Sequence, residues 1–245
     1  MTKSKRAARP SQRSFFPLKV RFCDPPDLGA DAGPICTADD GHDYQVKDKT
    51  SGESVPEIPH CEWFCTHLAE SVGIACPPCN ILEMHDGTLV FGSRWEGGVL
   101  KNPGIGEAGG YWWDKVKTGE IKIEDIKSVL SKIYAFDNFV YNTDRHCRNF
   151  IVRGKRNGLA FLANDYSRAW IRYGFPPHDL PIAGGATVES QRGLSLFWNY
   201  KYIDEKEINI VLDRIRVIRK KKIRDIIQSH PQDWLTPEQE RAILK

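Results

Sequence analysis

The chain has 245 residues, of which 40% are hydrophobic and 27% are charged, and its formal net charge is +3. This length allows one large domain or two smaller lobes with a sizeable core. The net charge is too small to argue for a nucleic-acid or membrane partner by itself. The sequence contains neither an apolar run long enough to span a membrane nor the apolar segment of a secretory signal peptide, so we expect no transmembrane segment.

The cysteines favour a reducing, cytoplasmic location, because they number seven and are too sparse for a disulfide framework. A zinc site would draw its four thiolates from Cys61, Cys65, Cys76 and Cys79. The first pair, however, has helical i, i+4 spacing within an apolar stripe, and the second pair encloses two prolines that favour an extended segment. We therefore interpret these cysteines as core residues.

The sequence predicts a flexible basic tail at residues 1–14, followed by a β-rich segment. Short apolar runs predict strands at Leu18–Phe22, Ile35–Thr37 and Tyr44–Lys49. The turn Ala38–Gly41 carries an Asp-Gly pair, which is typical of a hairpin.

Lys47 lies in the third of these strands. Strand alternation puts Tyr44 and Val46 on one face and Lys47 on the other. A lysine that faces a cleft can neutralise nucleotide phosphates, whereas most strand lysines are solvent-exposed. The sequence contains neither a glycine-rich kinase loop nor a P-loop, so Thr37–Gly41 and Thr50–Ser54 are left as stretches that could cover phosphates.

A helix is predicted from Pro59, a suitable first helical residue, to Gly73, a natural stop. Glu62 lies near its first turn, where a carboxylate also suits the helix dipole without any further role. The apolar stripe of this helix comprises Cys61, Phe64, Cys65, Leu68 and Val72.

Two further strands predicted within residues 81–91 run into a glycine-bearing connector that includes Arg94 and Trp95. Such a connector is typical of the junction between two lobes beside an adenine site, and a flexible loop is the alternative. The predicted division is an N-terminal nucleotide-binding lobe (15–95) and a C-terminal catalytic lobe (96–245).

The pattern with the most chemical content follows a helix predicted over Glu124–Tyr141. It is the loop D-R-H-x-x-N, in which Asp144 can accept a hydroxyl proton and the side-chain oxygen of Asn149 can bind a metal. A hairpin predicted between Asn149 and Ala163 would return the chain and bring Asp165 beside Asn149. Magnesium-dependent phosphoryl transfer needs such polar groups close together.

The same residues also have a purely structural interpretation. Asp144 and Arg145 suit a helix-terminal ion pair, and Asn164–Ser167 suits a turn because Asn, Asp and Ser favour such positions. The hairpin and the second aspartate make the catalytic interpretation the stronger one.

The run from Asp137 to Trp170 resembles the catalytic core of HipA-like kinases and, less closely, that of phosphatidylinositol 3/4-kinases, which share the D-R-H-x-x-N loop. The resemblance implies an α+β, bilobal protein-kinase-like fold with a small β-rich N-terminal lobe containing one helix and a larger, mainly helical C-terminal lobe. It also implies ATP and magnesium as cofactors.

By this resemblance Asp144 is the catalytic base, and Asn149 and Asp165 are the metal ligands. Lys47, oriented by Glu62, would steady the ATP phosphates. Arg94 and Trp95 would lie in the hinge beside the nucleotide. The segment Asp165-Tyr166-Ser167 keeps the aspartate of a D-F-G motif but not its glycine, which puts switching of the D-F-G type in doubt.

Beyond the catalytic segment, Asp204–Gln228 is predicted as one long helix with seven basic residues between Arg214 and Arg224. Such a run can bind phosphates of nucleic acid or lipid headgroups, but it is more often a solvated helix face. We do not expect nucleic acid as a partner.

The sequence thus predicts a HipA-like serine/threonine kinase that phosphorylates a protein, possesses a toxin-like or effector-like role, and has an antitoxin or another regulatory protein as a partner. The alternatives are a lipid or small-molecule kinase and a catalytically inactive nucleotide-binding module. A nucleic-acid-binding protein that uses the basic helix is a further alternative, and it predicts strongly salt-dependent binding.

Overall fold

The computed structural model describes residues 16–24, 33–51, 56–95, 115, 118–142, 144–145, 149–155, 158–169 and 203–245. Its strands are β1 (Leu18–Asp24), β2 (Ile35–Ala38), β3 (Asp43–Lys47), β4 (Cys79–Glu83), β5 (Leu89–Arg94), β6 (Phe150–Lys155) and β7 (Gly158–Ala163). Its helices are α1 (Ile58–Ser71), α2 (Ile123–Phe139), α3 (Glu205–Arg216), α4 (Lys220–Gln228) and α5 (Pro237–Ile243), with a 3-10 turn at Gln232–Trp234.

The first five strands form a closed barrel in the order β1-β2-β3-β5-β4. A parallel pairing of β1 with β4 closes the barrel, and the other neighbouring strands are antiparallel. Alternate side chains fill its interior, as the period of a strand requires. The buried interior residues are Val20, Cys36, Ala38, Tyr44, Val46, Leu82 and Val90.

A second, larger apolar core lies outside the barrel. Helix α1 contributes one buried side to it, and α2, the β6–β7 hairpin, α3 and α4 contribute the others. Trp234, 2% exposed, completes this core and donates from Nε1 to the carbonyl of Leu89 at 3.3 Å. The C-terminal segment is therefore joined to a strand of the barrel through one buried indole.

The predicted α+β class is confirmed, and the predicted strands and the first two predicted helices lie close to the observed ones. Helix α1 ends as expected: Gly73 has φ +86°, a conformation that glycine adopts without strain. Gly73 also leaves room for Arg214, whose Nη1 donates to the carbonyl of Val72 at 2.7 Å.

The single long helix predicted over Asp204–Gln228 is wrong, because the chain breaks after Arg216 and restarts at Lys220. The break keeps Ile215, Ile218 and Ile223 packed against the larger core. The backbone of Arg219 leaves the helical region, with φ −78° and ψ 143°, so an apolar periodicity that predicts one helix runs across two.

Cys23 of β1 and Cys36 of β2 are directly paired on adjacent antiparallel strands and form a disulfide. The sequence did not predict this bond. Disulfides persist in oxidising compartments and are rare in the cytosol, so the predicted cytoplasmic location carries the further expectation that this bond is reduced in the cell. Within the described ranges, no helix is both long and apolar enough to cross a membrane.

Gly92 of β5 provides a test of barrel packing, because a Cβ atom built there would lie 2.7 Å from Cδ1 of Leu82. We expect Gly92→Ala to destabilise the fold by about 1–3 kcal/mol through overpacking. In a Leu82→Ala background the obstructing atoms are gone, so the same change should cost less than it does alone. Urea unfolding of the two single variants and the double variant measures this difference, and strictly additive losses would contradict the packing described here.

Candidate active site

The ammonium of Lys47 joins three separate parts of the chain. Its Nζ lies 2.7 Å from Oε1 of Glu62 on α1 and 2.6 Å from Oδ1 of Asp165, just after β7. Lys47 is 4% exposed and Glu62 is 2% exposed, so this ion pair is screened from water. Glu62 also accepts the backbone N–H of Tyr166 at 3.0 Å through Oε2.

The three charges shift one another's protonation equilibria. Burial alone would lower the pKa of Lys47, but Asp165 and Glu62 outweigh it and raise that pKa. Burial would also raise the pKa of Asp165, but the neighbouring ammonium and hydrogen bonds from Ser167 hold it below its usual value. Burial raises the pKa of Glu62 to about 7; Lys47 opposes that rise, and the charge of Asp165 adds to it. Lys47 and Asp165 therefore stay charged at neutral pH, and Glu62 is the carboxyl that takes up a proton near neutral pH.

Asp165 is held in an unusual backbone conformation, with φ +66°. Aspartate tolerates this left-handed region better than most residues, and such conformations cluster at functional sites. The hydroxyl of Ser167 donates to Oδ1 of Asp165 at 2.6 Å, and the Ser167 N–H donates to the same atom at 3.2 Å. These bonds orient the carboxylate toward Lys47.

The β6–β7 hairpin returns the chain next to the D-R-H-x-x-N loop. Its ladder pairs Phe150 with Ala163, and the N–H of Asn164 donates to the carbonyl of Asn149 at 3.1 Å. Asn149 and the Asn164–Asp165 step are thereby adjacent. Nδ2 of Asn149 donates to the carbonyl of Asp144 at 2.6 Å, which assigns the amide orientation and makes Oδ1 the atom of that side chain that could bind a metal.

Arg145 is fully buried and holds the D-R-H-x-x-N loop through its hydrogen bonds. Its guanidinium contacts both oxygens of Asp137 in α2, at 2.8 and 3.0 Å, and it donates to the carbonyl of Asn149 at 2.7 Å and to that of Asn164. It also lies over the ring of Tyr166, 4.8 Å from the centroid. One cation thus fixes both ends of the hairpin and the end of α2.

The end of α2 adds a second strained residue. Tyr141, with φ +52°, occupies the position where a helix usually has glycine, and the Asn142 N–H donates back to the carbonyl of Asp137 at 2.8 Å. Nδ2 of Asn142 reaches Oδ1 of Asp137 at 3.2 Å and the carbonyl of Asp165 at 3.4 Å. This turn connects α2 directly with the Asp165 segment.

Asp144 lies at the more open side of the site, with its side chain 36% exposed. Nε of Arg168 is 3.6 Å from its Oδ2. Neither Arg168 nor Asp137 was predicted as a site residue. Asp137 was detectable as a carboxylate within the apolar pattern of α2, whereas nothing in the sequence signals the contact of Arg168.

Arg94 and Trp95, predicted as hinge residues, lie at the end of β5. The Arg94 N–H donates to the carbonyl of Pro78 at 2.8 Å, and the Trp95 N–H donates to that of Asp43 at 2.7 Å. Next to them, the Ser93 hydroxyl donates to Oδ1 of Asn164 at 3.2 Å. The end of β5 therefore reaches the segment that carries Asp165.

The cysteines do not assemble into a metal centre in the part of the chain that the structure describes. Cys61 and Cys65 are buried in the larger core, while Cys79 Sγ lies 3.9 Å from Nδ1 of His67. Burial raises the pKa of Cys76 to about 12, and its Sγ lies 3.9 Å from the hydroxyl of Tyr166. Of the two stretches expected to cover phosphates, Thr37–Gly41 comprises the end of β2 and most of the turn that leads to β3, and residues 52–54 of the other lie outside the described residues.

Residues 23–164 match the HipA-like kinase family. This match spans more than half of the chain, and the protein belongs to that family. The resemblance noted from the D-R-H-x-x-N loop is thereby confirmed, and a kinase is the class of enzyme that it defines. No curated protein matches the sequence.

Among solved structures, the chain is similar to the Helicobacter pylori proinflammatory kinase CtkA, with a TM-score of 0.56 and 14% identity over 93% of this chain and 91% of that chain. It is also similar to a chain of the Shewanella oneidensis MR-1 toxin-antitoxin complex of HipA, HipB and operator DNA, with a TM-score of 0.49 and 12% identity over 82% of this chain and 55% of that chain. At identities this low, structural similarity is evidence for a shared fold alone, and the similarity to CtkA supports an α+β kinase fold.

Replacement of Lys47 by methionine tests the buried charges. Glu62 and Asp165 would then face each other without a cation, and one of them would take up a proton. A carboxyl whose pKa is higher folded than unfolded makes stability fall as pH rises. We expect Lys47→Met to cost about 3–5 kcal/mol near pH 8 and clearly less near pH 5.5, in urea unfolding compared with the wild type at each pH.

The matched control is Lys49→Met, because Lys49 pairs with Asp233 at the surface and should contribute no more than about 1 kcal/mol at either pH. Adding Glu62→Gln to Lys47→Met removes one of the two facing carboxylates, so the pH dependence should largely disappear. A Lys47→Met penalty that is the same at both pH values would contradict this account.

Arg145 provides an independent test of the loop support. Arg145→Met leaves Asp137 as a buried carboxylate without its cation, and we expect a loss of about 3–5 kcal/mol in unfolding free energy. Arg145→Met combined with Asp137→Leu leaves no buried charge at that position and should be less destabilised than Arg145→Met alone. If the double variant is the less stable of the two, the ion pair does not have the role described.

Proposed function

We propose that this protein is an ATP- and magnesium-dependent kinase that transfers the γ-phosphate to a serine or threonine hydroxyl of a protein. The observation that carries the proposal is the buried contact of Lys47 with Glu62 and Asp165, next to the D-R-H-x-x-N loop of a chain in the HipA-like kinase family. This combination joins a fixed cation, a hard-oxygen ligand and a carboxylate base in one small volume.

Lys47 is suited to hold phosphate oxygens, because its charge is maintained by two carboxylates and its position by Glu62. The pair is rigid, since Glu62 is bonded at the same time to the backbone of Tyr166. A preorganised ammonium in a site screened from water stabilises phosphate charge more strongly than a surface lysine does. Lys47 thereby neutralises and orients the phosphates without reorganisation of the chain.

The side-chain oxygens of Asp165 and Asn149 fit a hard divalent cation. Asp165 offers a carboxylate that stays ionised and Asn149 offers an amide oxygen, and both are ligand types that magnesium prefers. When bound, magnesium neutralises the charge that develops on the transferring phosphoryl group. The turn at Ser167 and the Arg145 network keep the two ligands together.

Asp144 would align the acceptor hydroxyl and take its proton. Its carboxylate is the most accessible of the site's acidic groups, while its carbonyl is held by Asn149 at 2.6 Å. The loop therefore combines a fixed backbone with a side chain that an acceptor can reach. Positioning and charge neutralisation, rather than a covalent intermediate, would supply most of the rate enhancement.

The bilobal architecture and the hinge belong to the same proposal. Two apolar cores, one inside the barrel and one around α1 and α2, support a division into lobes 15–95 and 96–245 with the nucleotide between them. Helix α1 packs into the larger core, so the two lobes would share this element. Arg94 and Trp95 at the end of β5 would then border the nucleotide.

The acceptor class, the cytoplasmic location and the toxin-like or effector-like role, with an antitoxin or another regulatory partner, extend the proposal on the strength of the family resemblance. A lipid or small-molecule acceptor is the alternative for the same site. An inactive nucleotide-binding module is the alternative if transfer fails. The acceptor must therefore be part of the experiment.

The deciding experiment is transfer of label from [γ-³²P]ATP in magnesium buffer, with the protein alone, with a cell lysate and with phosphoinositide vesicles. We expect labelled protein, and a loss of about 10²–10⁴-fold in Asp144→Asn because general-base catalysis contributes on that scale. Asp165→Asn should abolish transfer, since a metal ligand and the counter-charge of Lys47 are lost together.

The matched control is Asp213→Asn, which removes an exposed carboxylate paired with Arg216 on α3 and should transfer at the wild-type rate. Label in lipid alone would replace the protein acceptor with a lipid acceptor. Magnesium-dependent ATP binding without any transfer would favour the inactive module. Absence of ATP binding would refute the site.

A further inference from the structure

Helix α1 lies between the candidate active site and the C-terminal segment. Glu62 is directed toward Lys47 and Asp165, whereas His60, two residues earlier, lies on nearly the opposite side of the helix. The partner of His60 is His230, which follows α4 and precedes the 3-10 turn. Whatever holds His60 therefore also sets where Glu62 lies.

Two hydrogen bonds connect this side of α1 to consecutive C-terminal residues. Nδ1 of His60 lies 2.7 Å from Nε2 of His230, and Nε1 of Trp63 donates to the hydroxyl of Ser229 at 3.0 Å. His60 has no exposed surface and His230 is 7% exposed. Buried hydrogen bonds of this kind are costly to leave unmade, so they define one position of α1 relative to the C-terminal segment.

The proton positions in the histidine pair follow from a third contact. Nδ1 of His230 lies 2.8 Å from the carbonyl of Pro231, which can only accept, so this nitrogen is the donor. In neutral His230 the other nitrogen, Nε2, carries a lone pair and accepts from Nδ1 of His60. Nε2 of His60 is then unprotonated, and in the described part of the chain this buried atom has no hydrogen-bond partner.

We propose that the His60–His230 hydrogen bond positions Glu62 for its contact with Lys47, and that proton uptake by this pair at mildly acidic pH releases α1 and lowers kinase activity. The proposal rests on the function proposed above and adds its regulation. His60 and His230 are positioning residues, because neither contacts Lys47, Asp144 or Asp165.

An added proton has no favourable place in the pair. On Nε2 of His60 it would be buried with no described acceptor. On Nε2 of His230 it would face the Nδ1–H of His60, unless that proton moved to the same buried Nε2. Either arrangement also buries a positive charge, which the interior disfavours. Proton uptake and the present packing of α1 therefore oppose each other.

The surrounding charges also affect the pKa values of His60 and His230, but both values remain lowered. Burial lowers the pKa of His60, and His230 lowers it further. Burial likewise lowers the pKa of His230, against the Pro231 carbonyl and the charges of Glu240 on α5 and Asp233 in the 3-10 turn. Asp233 is itself paired with Lys49 at 2.6 Å, and Glu57, which precedes α1, accepts a hydrogen bond from Gln239 of α5.

The direction of the pH effect follows from linkage. A histidine whose pKa is lower in the folded state binds fewer protons folded than unfolded at mildly acidic pH. The stability that the neutral His60–His230 contact gives to the position of α1 is therefore fully present above the usual histidine pKa of about 6.5, and it decreases as pH falls below that value. Each histidine can shift the equilibrium between the packed and the released position of α1 by up to about tenfold per pH unit.

The test compares the wild type with a variant that keeps the hydrogen bond but cannot titrate. In His60→Asn/His230→Gln, the asparagine amide donates where Nδ1 was, and the glutamine oxygen accepts where Nε2 was. We expect hydrogen exchange of α1 amides, corrected for the intrinsic rate, to accelerate at least about tenfold in the wild type between pH 7.5 and pH 5.5. The double variant should change much less.

Label transfer from ATP should follow the same pattern, with kcat falling more steeply between pH 7.5 and pH 5.5 in the wild type than in the double variant, because Glu62 titrates in both. His85→Gln is the control, because His85 is exposed in the β4–β5 turn, and it should behave as the wild type. Equal pH responses in the wild type and the double variant would overturn the proposal. Absence of transfer together with the expected exchange difference would refute the proposed function and leave the histidine contact established.

A measurement on the unmodified protein covers the case in which the double variant does not fold. Nitrogen-15 chemical shifts of the imidazoles should identify His60 and His230 as neutral rings protonated at Nδ1 near pH 7.5, with both titrating below about pH 6.5. A proton on Nε2 of His60 at neutral pH, or titration of both rings at the usual value, would overturn the proposal.

Discussion

The ammonium of Lys47, buried between two carboxylates, is the constraint on which the arrangement of the site depends. Lys47 comes from the barrel, Glu62 from α1 and Asp165 from the chain after β7. No one of these charges is tolerable alone in a site so poorly exposed to water, because an unpaired buried ion costs several kcal/mol. The three elements are therefore coupled: each must be in position before the other two are electrostatically satisfied.

A second buried cation, Arg145, stabilises the D-R-H-x-x-N loop in a similar way. The loop must present Asp144 to solvent while keeping Asn149 and Asp165 side by side, and irregular backbone near a core leaves carbonyl groups to be satisfied. Arg145 provides the donors for two of these carbonyls and pairs with Asp137 at the end of α2. The strained conformations of Tyr141 and Asp165 flank this network, and its many contacts are what can sustain them.

Much of this was predictable from the sequence because the relevant signals are local. Strand alternation placed Lys47 on the opposite face from Tyr44 and Val46. Helical spacing and Gly73 predicted the extent of α1, and the hairpin between Asn149 and Ala163 predicted that Asp165 returns to the loop. The remainder depends on contacts between residues far apart in sequence. Neither the partner of His60, 170 residues away, nor the contact of Arg168 has a local pattern, and the apolar periodicity of Asp204–Gln228 runs on through the residues where α3 ends and α4 begins.

The charge balance of the site has a further consequence. One ammonium faces two carboxylates, so the trio carries an excess negative charge, and the charge of Asp165 adds to the burial that raises the pKa of Glu62 to about 7. A cation bound at the free side of Asp165 would offset that excess and favour the ionised form of Glu62. The strength of the Glu62–Lys47 contact is therefore linked to what Asp165 binds. A helix whose placement depends on Glu62 on one side and on a neutral histidine pair on the other is thus responsive to charge at both surfaces.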